Sequence, residues 1–230
     1  MLILKHFVWF VLFPSKEIIT SNGIKDKINS ILFLILLNFV FLLFSSLLTV
    51  YLLPDFQSAY PSEQGVKWLF LFPIIIAPLR EEILFRLYLK YSRFNLSCFL
   101  GILTLVLTLL VSSEVIFENW LPNTLAFLSG GMVFICSFIF LKKYDHLFDY
   151  FFKRHVRLFV IFSVITFGYL HLPNFKITRE ILFLSPLILL PYFMAGFIFS
   201  YIRLHFGFIY SVMTHMMINL LGTSILVLFQ

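Results

Sequence analysis

The sequence predicts an all-α fold, a polytopic transmembrane bundle of about eight helices, from its composition and from the length of its apolar segments. Hydrophobic residues occupy 61% of the 230 positions and charged residues only 12%, whereas soluble domains are about half apolar and about a quarter charged. Mean hydropathy is +1.00. Apolar segments near the roughly 20 residues needed to cross a bilayer recur along the chain. We therefore predict one integral membrane domain over residues 1–230, without a separate soluble domain.

The chain divides into candidate membrane segments at prolines and polar clusters. The first segment is short, contains a Lys and a His, and lacks a small-residue cleavage pattern after it. It is predicted to be a retained interfacial or short embedded helix rather than a signal peptide. The later segments approach the length of a bilayer span. In order, the predicted segments are Leu4–Pro14, Ile28–Leu53, Val66–Lys90, Leu96–Ser113, Trp120–Leu141, Val156–Leu172, Ile181–Leu204 and Phe208–Phe229.

Polar stretches separate the segments after the second. The second segment is followed by LPDFQSAYPSEQG, the third by KYSRFN and the fourth by SSEVIFEN. The fifth is followed by KKYDHLFDYFFKRH, the sixth by PNFKITRE and the seventh by RLHFG. No segment repeats another, so the sequence gives no support to a transporter built from inverted repeats.

The distribution of Lys and Arg predicts the orientation of the bundle. If the loop after the first segment is cytoplasmic, the outer loops keep only Lys67, Lys176 and Arg179, in agreement with the positive-inside rule. The net charge of +6 is then the usual balance of a membrane protein, and no nucleic-acid partner is expected. The loop Tyr144–His155 is predicted to lie among the inner headgroups. The cations placed inside are Lys16, Lys25, Lys27, Lys90, Arg93, Lys142, Lys143, Lys153, Arg154, Arg157 and Arg203.

A few ionisable side chains fall inside the predicted spans. Placing such a group at the centre of a membrane costs roughly 2.5–3.5 kcal/mol on insertion scales, so each one is a functional-site hypothesis by default. The third segment carries most of them, and the amide of Asn219 lies beside the last one. In chain order they are Arg80, Glu81, Glu82, Arg86, His171 and His215.

The spacing of the charges in the third segment predicts different environments for its two carboxylates, Glu81 and Glu82. Glu82 and Arg86 are four residues apart with the acid first, which is the favourable arrangement for a helical ion pair. Glu81 lies about 100° around the helix from Glu82 and cannot make the same pairing. We therefore predict an ion pair between Glu82 and Arg86, and we predict that Glu81 has no such partner on its helix and faces a cavity.

The remaining polar groups lie on two other segments at similar depths. His215 and Asn219 are four residues apart on one face of the last helix, and Phe167 and His171 repeat that spacing on the sixth. At about 1.5 Å per residue from the inner end of each span, Glu81, His215 and Asn219 lie about 10–16 Å deep and His171 about 22 Å deep. Side chains from three helices are thus predicted to meet in one pocket.

This set of groups is suited to water-mediated acyl hydrolysis. A buried glutamate can act as a general base near neutral pH, and a histidine can help to hold the attacking water. A second histidine and an asparagine can donate to the oxyanion of a tetrahedral intermediate. Glutamate and histidine also bind zinc, but the sequence has no HExxH pattern, and asparagine is a poor zinc ligand. It has no GxSxG nucleophile elbow either.

The polar residues also match three motifs of a known family. EEILFR (Glu81–Arg86) resembles the EExxxR motif of the CPBP family, the CAAX-protease and bacteriocin-processing or Abi group related to type II CAAX prenyl endopeptidases. FGYLH (Phe167–His171) is similar to its second motif, FxxxH, and HMMIN (His215–Asn219) to its third, HxxxN. The resemblance covers a motif-bearing core of about residues 66–222, with the motifs in the family's order. Arg80, directly before the pair, departs from the motif.

The resemblance implies an all-helical membrane protease with a cavity that faces the cytosol. The first glutamate and the second-motif histidine would activate water, the third-motif residues would form the oxyanion hole, and the other motif residues would support them. No metal is favoured. The implied catalytic residues are Glu81, His171, His215 and Asn219, and the supporting residues are Glu82, Arg86 and Phe167.

The expected partners are the lipid bilayer and a membrane-associated protein or peptide substrate, and the expected location is the cell (inner) membrane. Oligomeric state does not follow from the sequence. Two other functions stay open for the same residues: a catalytically idle binding or bacteriocin-immunity protein, and a small transporter that uses the Glu/His cluster as a proton relay. Metal dependence also stays open as an alternative mechanism.

Overall fold

The part of the chain that the structure describes is helical, as predicted. The computed structural model describes residues 2–14, 23–53, 72–114 and 121–228, with side chains for 3–14, 23–53, 72–111 and 123–224. The regular elements of these residues are all helices. They are α1 (Leu2–Leu12), α2 (Ile24–Leu52), α3 (Ala77–Phe85), α4 (Arg93–Glu114), α5 (Leu121–Arg154), α6 (Val156–Tyr169), α7 (Arg179–Ile188), α8 (Leu190–His205) and α9 (Phe208–Leu228).

Within the described residues, 5 helical stretches are long and apolar enough to cross a membrane. They agree with the second and the fourth to seventh predicted segments. Helix α1 is shorter, in agreement with the short first segment. The stretches are Ile24–Leu52, Arg93–Val111, Asn123–Arg154, Val156–Asn174 and Arg179–His205.

The third predicted segment, Val66–Lys90, is not one continuous helix. Its first residues, up to position 71, lie outside the described part of the chain. A π-helical turn at Phe72–Ile76 leads into α3, and a 3₁₀ turn at Leu87–Leu89 follows it. Pro78 has no N–H to complete the helical ladder, and the widened turn lies directly before it. The prediction of an unbroken span was wrong here.

The basic stretch Lys142–Arg157, predicted as a loop, is mostly helix. Helix α5 continues to Arg154 and is only kinked at Tyr144, where φ is −116° and ψ is 20°. The stretch contains no Pro or Gly that would end a helix. Its charges fit helical spacing, because Asp149 and Lys153 form an ion pair one turn apart. The prediction of a loop, which rested on polar composition alone, was therefore wrong for most of this stretch.

Helix α8 is the central element, and α1, α2, α6 and α9 all pack against it. Nearly every residue from Ala195 to Leu204 is buried. Helix α6 approaches α8 closely because Gly168 has no side chain, and a Cβ there would lie 2.2 Å from the ring of Phe193. The pairing of α6 with α8 fixes the end of α6, where two of the predicted site residues lie.

The predicted segment Ile181–Leu204 contains a break between α7 and α8. Pro191 has no N–H to donate to the carbonyl of Leu187. The hydroxyl of Ser45 on α2 donates to that oxygen instead, at 3.0 Å, and lies 3.3 Å from the carbonyl oxygen of Ile188. Helix α2 therefore stabilises the break that sets the direction of α8.

Candidate active site

Helices α3, α6 and α9 bring the predicted polar residues into one region of the bundle. Glu81 and Glu82 lie in the middle of α3, and His171 directly follows α6. His215 and Asn219 lie on α9. The imidazole of His215 contacts both carboxylates, with Nδ1 3.1 Å from Oε1 of Glu82 and Nε2 3.6 Å from Oε2 of Glu81. The predicted meeting of α3 and α9 is therefore observed.

The predicted pair of Glu82 and Arg86 is confirmed, and it is completely buried. Nη1 of Arg86 lies 3.7 Å from Oε1 of Glu82, and both side chains are 0% exposed. The guanidinium has no hydrogen bond to any residue that the structure describes. It lies instead over the rings of Phe167, Phe199 and Phe85, at 4.0, 5.3 and 5.6 Å from their centroids. Cation–π attraction to these rings stabilises a charge that would otherwise lie in an apolar core.

The carboxylate of Glu82 is held at both oxygens. Its Oε1 accepts from Nδ1 of His215 at 3.1 Å, and its Oε2 accepts from the hydroxyl of Ser211 at 2.5 Å. An ionised carboxylate can only accept, so Nδ1 of His215 is the nitrogen that carries the proton in this contact. In the neutral ring, Nε2 then carries the lone pair.

Glu81 differs from Glu82 in exposure and in partners. Its side chain is 18% exposed, and its Oε1 lies 3.9 Å from Nη2 of Arg80. The prediction that Glu81 has no ion-pair partner on its own helix was therefore wrong. The long arginine side chain reaches across the angle that separates adjacent helical residues, and its own exposure is 47%. This contact also gives Arg80 a structural partner, which the sequence had not suggested.

His171 is linked to His215 through the ring of Phe167, which contacts both imidazoles. Its Nδ1 lies 2.8 Å from the carbonyl oxygen of Phe167, so Nδ1 donates and the neutral ring has its lone pair on Nε2. The ring of Phe167 lies 4.7 Å from that of His171 and 5.8 Å from that of His215. The four-residue spacing predicts an aromatic ring one turn from the imidazole, and Phe167 lies there, meeting His171 edge-on.

The amide of Asn219 binds the turn that precedes α3. Its Nδ2 donates to the carbonyl oxygen of Pro73 at 2.8 Å. In a π-helical turn that oxygen would accept from residue 78, but Pro78 has no N–H. Asn219 supplies the missing donor, and the second hydrogen of its amide is not used in this bond.

Two residues of this region were missed or misplaced by the sequence analysis. Arg203 was counted among the inner-loop cations, but it is buried in the last turn of α8. Its Nε and Nη2 donate to the carbonyl oxygens of Arg86 and Leu87, at 3.0 and 2.9 Å. Ser211 was not considered, although it lies four residues before His215 and therefore on the same face of α9. That spacing was the available signal for Ser211.

No group of three or more His, Cys, Asp and Glu side chains is arranged to hold a metal ion in the described ranges. The carboxylate nearest His215, that of Glu82, is already engaged by N–H and O–H donors and by Arg86.

The fold and the site define an integral membrane protein with a carboxylate–imidazole cluster between its helices. A family model described as "Type II CAAX prenyl endopeptidase Rce1-like" matches residues 63–221. The chain belongs to this Rce1-like family of CAAX proteases, which confirms the resemblance seen in the three motifs. No curated protein and no solved structure matches the chain.

Proposed function

We propose that this protein is an intramembrane endopeptidase that hydrolyses a peptide bond of a membrane-associated protein or peptide. The observation that carries the proposal is that the two adjacent glutamates differ in burial and in partners. Glu82 is fully buried, paired with Arg86 and hydrogen-bonded at both oxygens, whereas Glu81 is partly exposed and touches His215 and Arg80. Of the two carboxylates, only Glu81 is accessible to a substrate and a water molecule.

In the proposed reaction, Glu81 is the general base. It takes a proton from water as the oxygen attacks the peptide carbonyl, and it returns that proton to the leaving amine. His171 helps to position the water through Nε2, because its Nδ1 is bound to the carbonyl of Phe167.

The proposed oxyanion donors are His215 and Asn219. Nδ1 of His215 is bound to Glu82, so the ring presents Nε2 toward Glu81. When the ring is protonated, its Nε2–H can donate to the oxyanion, and the carboxylate of Glu82 balances the charge of the imidazolium. Asn219 can donate its second amide hydrogen. The mechanism uses no metal ion, and we propose that the site opens toward the cytoplasmic side of the cell membrane.

The test replaces Glu81 by Gln. Membranes from cells that express the wild-type protein or E81Q are compared for newly formed protein termini, and the purified proteins are then assayed in liposomes on the peptide so identified. We expect cleavage to fall by about 10²–10⁴-fold, the usual contribution of a general base. A matched control is Glu180→Gln, because Glu180 is an exposed glutamate at the start of α7, outside the site.

The alternatives predict different outcomes in the same material. If folded E81Q cleaves as fast as the wild type, the protein does not use Glu81 as a base, and an idle binding or immunity role is favoured. Proton-coupled uptake that disappears in E81Q would favour transport. A chelator such as EDTA is expected to leave the rate of cleavage unchanged, and a loss restored by a divalent metal would contradict the metal-free mechanism.

A further inference from the structure

We propose that Ser211 is a positioning residue of this site, and that it acts through Glu82 to determine which nitrogen of His215 faces the reacting groups. The inference rests on the proposed function for its consequence in catalysis. The arrangement itself is a chain of three buried side chains, in which the hydroxyl of Ser211 binds one oxygen of Glu82 and His215 binds the other. None of the three is more than 3% exposed.

The hydroxyl of Ser211 has two acceptors within reach and a single hydrogen. Oε2 of Glu82 lies at 2.5 Å and the carbonyl oxygen of Phe199 at 3.0 Å. Hydrogen bonds to a charged oxygen are shorter and stronger than bonds between neutral groups, and about 2.5–2.7 Å is their range for a hydroxyl donor. The distances therefore identify Glu82 as the main acceptor and Phe199 as the weaker one.

Ser211 fixes the oxygen of Glu82 that no other described contact holds. Arg86 and His215 both approach Oε1, at 3.7 and 3.1 Å. Oε2 is bound by Ser211. Without this bond the carboxylate can rotate about its last torsion, which is broad for glutamate. The plane of the carboxylate would then no longer be held with an oxygen in line with Nδ1 of His215.

Two neighbouring aromatic rings, together with the fixed carboxylate of Glu82, define the orientation of the His215 imidazole. Phe199 stacks on His215 with a centroid distance of 4.3 Å and an interplanar angle of 20°, and Phe167 meets it edge-on at 5.8 Å. These rings hold the plane of the imidazole, and Glu82 selects its protonated nitrogen. Nε2 is left facing Glu81 at 3.6 Å, where the oxyanion would form.

The hypothesis is tested with Ser211→Ala in a protein labelled with ¹⁵N only at histidine and held in nanodiscs. The signals of His215 are assigned by their loss in His215→Gln. In the wild type we expect neutral His215 to be protonated on Nδ1 alone, and in S211A we expect a mixture of both tautomers. We also expect kcat to fall about tenfold, in line with the loss of a hydrogen bond to a charged group, with KM changed less than about twofold.

The matched control is Ser200→Ala. Ser200 is also fully buried, but its hydroxyl bonds to Gly196 of its own helix at 2.8 Å, and it has no hydrogen bond to a site residue within the described part of the chain. We expect S200A to keep the tautomer and the kcat of the wild type. The proposal is overturned if S211A gives the same His215 signals and the same kcat as S200A.

The tautomer is read without substrate, so the two proposals can fail separately. A tautomer shift in S211A together with a wild type that cleaves nothing would retain the positioning role of Ser211 and would remove the proposed function. Cleavage by the wild type with an unchanged tautomer in S211A would retain the function and remove the role of Ser211.

Discussion

Burying Glu82 and Arg86 carries a desolvation penalty, yet each of the two charges is needed to compensate the other. Removing two charges from water carries a penalty of several kcal/mol per ion, and their attraction only partly offsets it. Here the carboxylate gains hydrogen bonds from Ser211 and His215, and the guanidinium gains three aromatic faces. Each charge is therefore compensated on more than one side, and loss of either leaves the other uncompensated.

Replacement of Arg86 by Met tests this compensation. We expect R86M to lower the free energy of unfolding in detergent by about 3 kcal/mol, because removing one partner leaves a buried, unpaired charge. Arg80→Met is the control, since Arg80 is 47% exposed and 3.9 Å from its glutamate. Exposed pairs contribute little. Equal midpoints of unfolding for the two variants would show that the buried pair does not stabilise the fold.

At the scale of single residues, the sequence could predict contacts within a helix but not those between helices. The pair of Glu82 and Arg86 follows from a four-residue spacing on one element. The bonds of Ser211 to Glu82 and of Arg203 to Arg86 depend on how α8 and α9 pack on α3. No local pattern contains that information. The contact of Arg80 with Glu81 was missed for a different reason, because it is local to one helix but depends on the conformations of the two side chains.

The end of α3 illustrates how neighbouring elements complete one another. Where α3 stops at Phe85, the last carbonyl oxygens lack helical donors. Ser163 on α6 donates to the oxygen of Phe85 at 2.6 Å, and Arg203 on α8 donates to those of Arg86 and Leu87. Two other helices therefore fix the turn that carries Arg86. This arrangement was not predicted, because hydropathy indicates a single span in this region.

The contact between α4 and α5 depends on two glycines that face each other. A Cβ on Gly130 would lie 2.8 Å from the carbonyl oxygen of Gly101, and one on Gly101 would lie 2.9 Å from that of Gly130. Small residues at such positions let the backbones of membrane helices approach closely. The two helices make the most extensive contact in the described part of the bundle.

Gly130→Ala is therefore expected to destabilise the protein, since the added methyl group meets backbone that cannot move without separating the helices. The expected loss is about 1–3 kcal/mol, the usual cost of overpacking. The control is Gly131→Ala on the same helix, because a Cβ there meets nothing within 4 Å. Thermal unfolding in detergent measures the stability of both variants. A midpoint for G130A equal to or above that of G131A would contradict the close approach.

On the scale of the whole molecule, hydropathy predicted the class of fold well, and the motifs predicted which helices meet. An all-helical bundle follows from composition, because only hydrogen-bonded helices or closed barrels can cross a bilayer. Glu81, His171 and His215 are far apart in sequence, yet the ring of Phe167 contacts both histidines and His215 contacts Glu81. The changes of helix type on either side of α3 and the break between α7 and α8 were not predicted, because the carbonyls there are satisfied by distant residues such as Asn219, Arg203 and Ser45.

The orientation of the molecule in the membrane remains a prediction of its charge distribution. Single cysteines at Lys142 and Lys176, both exposed, report on the two sides after Cys98 and Cys136 are replaced by Ala. Because Lys and Arg collect on the cytoplasmic side, a membrane-impermeant maleimide should label K176C in intact cells. It should label K142C only after permeabilisation. The reverse labelling pattern would show that the bundle has the opposite orientation in the membrane.

The same assay tests which side the proposed active site faces. Arg80 is an exposed side chain next to Glu81, so R80C places a thiol beside the proposed general base. If the cavity opens to the cytoplasm, R80C should follow K142C and remain unlabelled until the membrane is permeabilised. Labelling of R80C in intact cells would place the entrance on the outer surface. A substrate would then have to reach Glu81 from the side opposite to the basic loops.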